Sequence, residues 1–207
     1  MDTLNETHYF ATPIYMVKKE EFLEPVGKVS NRYLAQSKQG KKKSYITMTA
    51  TYAHEPEIQG FAQYVSQTAW NILAAQGFAM KDYVTFFTEM WTQEHNHMSS
   101  METHMHGRGA QVSAFYFLDA PKDGCKFAIH DPRPSKVIIN LPEEEPEKMT
   151  MGSHQILFTP EPGTLIFTNA WLPHSLTKNF SKNPCRFVHM NLSVAPNPVP
   201  VEQVEII

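Results

Sequence analysis

Glu102-Thr103-His104-Met105-His106-Gly107-Arg108-Gly109 leads directly into Ala110-Gln111-Val112-Ser113-Ala114-Phe115-Tyr116-Phe117-Leu118. The first half places two histidines at i and i+2. In an extended strand, residues with that spacing point to the same face. His104 and His106 can therefore present two imidazoles to one point, with Met105 directed away from it. Neutral imidazole is the commonest protein ligand for zinc, iron, copper and nickel. A His-x-His pair taken alone reads equally well as a structural or surface pair. Immediately after it come a glycine-bearing turn and an aromatic, β-branched run of strand length, Gln111 to Leu118.

Working outward, the chain divides in character. Downstream lie further short β-rich runs separated by turn residues. The turn Pro121-Lys122-Asp123-Gly124 and the run Lys126 to Ile129 suggest an antiparallel hairpin with 111–118. Val137 to Leu141, Gln155 to Thr159, Thr164 to Thr168 and Arg186 to Val194 read as strands, and Glu143 to Lys148 as an acidic, solvated loop. Upstream, Thr12 to Val17 and Tyr83 to Thr92 read as strands, and Glu20 to Ala35 and Glu57 to Gly77 as helices. In the second helix Ile58, Phe61, Val65, Ala69, Ile72 and Leu73 form one apolar stripe, with Gly77 as its stop. The residues between the helices, Gln36 to Ser44, read as a mobile loop. The class is mostly β with flanking helices, a β-sandwich or barrel. It is read as one domain over 1–207: 1–82 supports the barrel, 83–195 forms its core, and 196–207, with Pro198 and Pro200, is an extended tail.

Composition narrows the function. The chain has 207 residues and a formal charge of −3, with Lys41, Lys42 and Lys43 as its only basic run. Binding to nucleic acid through bulk charge is therefore not expected. Two cysteines, Cys125 and Cys185, make no disulfide framework. Asp2, Asn5 and Glu6 interrupt any signal-peptide pattern, and no apolar run approaches the ~18–20 residues that span a bilayer. The expected location is cytoplasmic. Oligomeric state is not legible.

More chemistry lies toward the C-terminus. Pro162-Gly163-Thr164-Leu165-Ile166-Phe167 reads as a turn and strand, followed by Trp171-Leu172-Pro173-His174. Arg186 comes twelve residues after His174 and opens the last apolar strand. An unpaired buried charge costs several kcal/mol, so this arginine needs an anionic partner. Its planar fork suits a carboxylate.

At these residues the sequence resembles the 2-oxoglutarate- and Fe(II)-dependent oxygenases. Their pattern is His-x-Asp, a strand like Ala114 to Leu118, a Gly-x-Leu-x-x-Phe strand, a distal His and a later Arg. The prolyl-hydroxylase branch has the same order. Closer still is a family with His-x-His and a motif like Asp131-Pro132-Arg133, and the opening Phe10-Ala11-Thr12-Pro13-Ile14-Tyr15 looks like that family's start. The resemblance implies a double-stranded β-helix, a jelly-roll or cupin-like barrel. It implies Fe(II), 2-oxoglutarate and O2 for oxidation of a C–H bond in a small-molecule or peptide substrate. His104, His106 and His174 would hold the metal, Arg186 the far carboxylate of 2-oxoglutarate, and Tyr116 would donate to that co-substrate or simply fill the core. His106 stands where the usual pattern has a carboxylate, so Asp131 or Glu102 could complete the site instead. Asp131 ranks lower, being placed at the far end of the hairpin from His104. His95 and His97, after Trp91, are expected on the surface or on a loop lining the pocket in contact with substrate; His130 and His154 are expected on the surface, and His189 facing outward beside an inward Val188. Trp91 and Trp171 would wall the pocket or fill the core. Two other readings stay open: a three-histidine cupin-like metalloprotein without 2-oxoglutarate, and a jelly-roll binding module without enzymatic activity.

Overall fold

A computed structural model of the chain describes residues 5, 7, 10–42, 44–107, 109–139 and 141–197. In chain order the strands are β1 (Tyr15–Lys18), β2 (Ile46–Met48), β3 (Tyr83–His95), β4 (Met101–His104), β5 (Val112–Asp119), β6 (Phe127–His130), β7 (Gln155–Phe158), β8 (Thr164–Asn169), β9 (His174–Leu176) and β10 (Cys185–Pro196). Among the described residues two α-helices, α1 (Leu23–Lys38) and α2 (Gln59–Ala75), and short 3-10 turns accompany them.

The strands form two antiparallel sheets, ordered β1-β8-β5-β10-β3-β2 and β4-β9-β6-β7. This is the layout of a double-stranded β-helix. Both faces of the larger sheet are covered, which is why β5 and β10 read as near-continuous apolar runs rather than alternating ones. Its outer face meets the helices: Val26, Val29, Phe61, Val65, Ala69 and Ile72 pack with Ala114, Tyr116, Leu165, Phe167, Val188, Met190 and Leu192. Its inner face meets the smaller sheet through Phe115, Phe117, Phe127, Ile129, Ile166, Leu176 and Phe187.

The apolar stripe of α2 is buried at Phe61, Val65, Ala69, Ile72 and Leu73, as its spacing requires. Gly77 ends the helix with φ +95°, and the Phe78 amide donates back to the Leu73 carbonyl at 3.2 Å. That left-handed closure suits glycine. α1 begins after a single 3-10 turn, Glu20–Phe22, and continues to Lys38, into the segment expected to be a loop.

Three expectations are corrected here. Residues 111–118 and 126–129 are not hairpin partners: β5 pairs with β8 and β10, and β6 with β7 and β9, so the turn at 121–124 carries the chain from one sheet to the other. Val137 to Leu141 is not a strand. Pro134, whose fixed φ suits a helical first turn, starts a 3-10 helix, Pro134–Ile138, and Ile138, Ile139 and Leu141 are exposed. β3 runs on to His95, which brings that histidine into the larger sheet. Most of the expected 196–207 tail, with Pro198 and Pro200, lies outside the described residues, as does Arg108.

Candidate metal centre

His104 ends β4 and His174 begins β9, and the two are register partners across the smaller sheet. His106 lies two residues beyond β4, its backbone amide donating to the Ala170 carbonyl at 2.9 Å. One ring nitrogen from each of the three lies within 4.8 Å of the others. His174 is fully buried, while His104 and His106 are half-buried. Burial, with the neighbouring histidines, lowers His174 to about 3; burial and His104, opposed by Glu89, lower His106 to about 4. Both rings are therefore neutral at physiological pH, the form that donates a lone pair.

The outer hydrogen bonds differ among the three. His104 Nδ1 faces the Glu102 carbonyl at 2.8 Å and His174 Nδ1 faces the Leu172 carbonyl at 2.9 Å. A carbonyl can only accept, so each Nδ1 carries the proton and each Nε2 is left unprotonated, with a lone pair to donate. His106 Nδ1 instead faces the Asn191 amide nitrogen at 3.1 Å. That amide is oriented by Ser113, which donates to Asn191 Oδ1, and by Glu89, which accepts from Nδ2, each at 2.8 Å. The His106 proton then sits on Nε2, which approaches His174 Nε2 at 3.1 Å.

Neither carboxylate considered for the third position joins the cluster. The Glu102 side chain is exposed. Asp131 does stand at the histidine end of the smaller sheet, contrary to the hairpin expectation: it follows His130, whose Nε2 contacts Thr103 Oγ1 at 3.1 Å and Ser175 Oγ at 2.8 Å. Its oxygens are taken by Arg133, at 2.9 and 2.8 Å, and by Lys136 at 3.0 Å. These cations hold its carboxyl well below the usual range. A groove of about 480 Å³ opens beside it, lined by Ile14, Ile129, His130, Arg133, Met151 and His154.

Arg186 and Tyr116 lie away from the histidines. The Arg186 guanidinium pairs with Asp119 and donates to Asn31 of α1 at 2.7 Å. The anionic partner that a half-buried arginine requires is thus supplied within the chain, on the helix-covered face. Tyr116 is on that same face, its hydroxyl donating to the Lys19 carbonyl at 2.6 Å. Neither is placed to meet a co-substrate at the histidines.

Conversely, the inner face holds residues that the sequence places on the surface. His189 is only 2% exposed, and its ring centroid is 4.5 Å from those of both His106 and Trp91. His95 is fully buried and stacks at 5.9 Å on Phe187. Phe187, His189 and Asn191 share one parity on β10, opposite to Arg186 and Val188. Alternation around Phe187 was the available signal. It was obscured because Val188 faces a core too, the one beneath the helices. His97 and His154 are exposed and His130 is partly so. Trp171 is about half-exposed, at 48%.

Residues 89–189 match the family model described as "Putative 2OG-Fe(II) oxygenase". A comparison with curated proteins finds no match. Among solved structures, a prolyl-4-hydroxylase from Pseudomonas putida superposes with TM-score 0.61 at 11% identity, covering 88% of this chain and 92% of that one. An oxidoreductase of the 2OG-Fe(II) oxygenase family from Burkholderia pseudomallei gives 0.59 at 13%, covering 87% and 84%. The epimerase SnoN from nogalamycin biosynthesis, solved with Fe3+, alpha-ketoglutarate and nogalamycin RO, gives 0.56 at 14%, covering 90% and 82%. At such identities the structures testify to the fold alone, and the likeness to the 2OG-Fe(II) oxygenases rests on the match over residues 89–189, which spans all three histidines.

Proposed function

We propose that His104, His106 and His174 hold the iron of a 2-oxoglutarate-dependent oxygenase, and that the substrate approaches from the groove beside Asp131. The observation that carries this is the pair of unprotonated Nε2 atoms on His104 and His174, each fixed by a carbonyl on the opposite ring nitrogen; the one on His174 meets His106 Nε2 at 3.1 Å, a contact that a metal would replace. With the third imidazole beside them within 4.8 Å, the donor set fits a divalent first-row metal. Bound there, Fe(II) with 2-oxoglutarate and O2 supplies oxidative decarboxylation coupled to oxidation of a substrate C–H bond.

The chain's own part is positional. His104 and His174 are pre-set as ligands. For His106 to ligate through Nε2, its proton must move to Nδ1, and a half-turn of the Asn191 amide would bring Oδ1 round to accept it. The aromatic core of Phe115, Phe127 and Phe187 behind the histidines excludes water from the inner side. The same reading takes 1–207 as one oxygenase domain acting in the cytoplasm on a small molecule or peptide. Support comes from the mild acidity and from two buried cysteines that form no disulfide. Among the described residues no helix is long and apolar enough to cross a membrane.

The test is to load the purified protein anaerobically with Fe(II), add 2-oxoglutarate and air, and measure succinate. Succinate at one equivalent per 2-oxoglutarate consumed, lost in His174→Ala together with the iron, is the expected result. A fully iron-loaded protein that leaves 2-oxoglutarate intact, with or without candidate substrates, contradicts the reading.

A further inference from the structure

The chain has two cysteines, and the metal site uses neither. They stand 60 residues apart in sequence and meet in the core between the sheets. Cys125 leaves the turn at 121–124 and leads into β6 of the smaller sheet, while Cys185 opens β10 of the larger one. Both are buried, 5% and 4% exposed. The Cys125 amide donates to the Cys185 sulfur at 2.9 Å, and the Cys125 thiol donates to the same atom. The turn is shaped around that sulfur. Its Gly124 amide donates to the Pro121 carbonyl at 2.9 Å, and Asp123 takes φ +62°. A Cβ at Gly124 would lie 2.7 Å from both Cys185 Sγ and the Pro121 carbonyl oxygen. Only glycine lets the backbone close over the sulfur this tightly. Lys122 and Asp123 are exposed, so the pair lies directly behind a solvent-facing turn.

The two sulfurs are not equivalent. Cys185 accepts from two donors, and these hydrogen bonds lower its thiol below the ordinary value, against burial and the nearby Asp119 carboxylate. Cys125 holds its proton in the bond to Cys185 and is buried as well, so its own thiol is raised. The thiolate is the nucleophilic form of cysteine. One sulfur is prepared to attack, and the other stands against it with a proton to release.

We propose that Cys125 and Cys185 form a modification site, which hydrogen peroxide closes to a reversible disulfide, Cys185 attacking the peroxide and Cys125 resolving the product. The Cys185 sulfur attacks one peroxide oxygen: an S–O bond forms, the O–O bond breaks, and the hydroxide released takes up the proton that Cys185 gave up. The Cys125 sulfur then loses its proton and attacks Cys185. The S–S bond forms, the S–O bond breaks, and the second hydroxide leaves with that proton as water. Two thiols are oxidised, one peroxide is reduced to two waters, and a thiol reductant reverses the change. The bond fastens β10 of the larger sheet to the chain crossing into the smaller one. It does so away from the metal centre, since Ile129 at the other end of β6 is the register partner of His174.

The experiment treats the folded, full-length chain with stoichiometric hydrogen peroxide, free of iron so that no Fe(II) consumes the oxidant. The protein is then denatured, alkylated with N-ethylmaleimide and weighed intact. With only two cysteines in the chain, the count of labels is unambiguous. Wild type should become a monomer that takes up no label, and should take up two after dithiothreitol. Cys125→Ser should stop at a sulfenic acid on Cys185, trapped by dimedone. Cys185→Ser should react about tenfold more slowly, its remaining thiol being the protonated one. Two labels on peroxide-treated wild type, a disulfide between two chains, or a disulfide formed only once urea unfolds the protein overturns the site. Equal rates in the two variants overturn the assigned order of attack. The wild-type result decides the site by itself should a variant not fold, and it is independent of which metal the histidines hold.

Discussion

At the residue scale, the centre turns on which ring nitrogen of each histidine carries the proton. Backbone carbonyls decide it for His104 and His174, and a side-chain amide decides it for His106. Asn191 is therefore the adjustable partner. Asn191→Leu removes the contacts to Ser113, Glu89 and His106 without changing the ligands, and metal affinity should fall by about 10- to 100-fold, the usual cost of losing an outer partner. Competition with a chromophoric chelator measures it, and unchanged affinity would show that Asn191 does not position His106. Tyr116 offers a contrasting case. Its hydroxyl serves the Lys19 carbonyl, so Tyr116→Phe should cost about 1 kcal/mol in urea unfolding and leave 2-oxoglutarate affinity as it was.

At the element scale, β10 explains both the success and the failure of the sequence reading. Its arginine was identified as needing an anion, and it has one in Asp119. Which face it points to was not legible, because both faces of the strand are buried. A strand with one wet face announces its parity through polar alternation, and a slip of one residue inverts every side chain. β10 gives no such sign, so Arg186 was turned inward and His189 outward. In its actual place Arg186 ties α1 to the sheet. Arg186→Ala should lower stability by about 1 kcal/mol, because the pair is partly solvated. Urea unfolding with a parallel metal titration is the check, and metal affinity should be unchanged. The turn at 121–124 shows the same gap: its residues specify a reversal, and only the facing of two sheets makes it a crossing.

For the whole molecule, the buried histidines make stability depend on pH. His95 is fully buried, and desolvation lowers it from 6.5 to about 4. Between those values the unfolded chain binds a proton that the folded chain refuses. The contribution is complete above pH 6.5 and is lost as pH falls toward 4, by at most about 3 kcal/mol. In metal-free protein, the melting temperature of wild type should fall more steeply through that window than that of His95→Gln. Parallel curves would show that His95 stays uncharged without cost.

The sequence by itself determined the helix stripe of α2, most of the strands, the order of the histidines and hence the resemblance to the 2OG-Fe(II) oxygenases, because these depend on local periodicity and on short motifs. Tertiary structure alone decided which residues meet at the centre and what lies behind it. It set Asp131 against Arg133 and Lys136, turned Arg186 to the helices, and brought His189 and Asn191 to His106, with Trp91 against His189. Those outcomes depend on which of two buried faces a side chain enters and which sheet a strand joins, and neither is written in the spacing of residues along one strand.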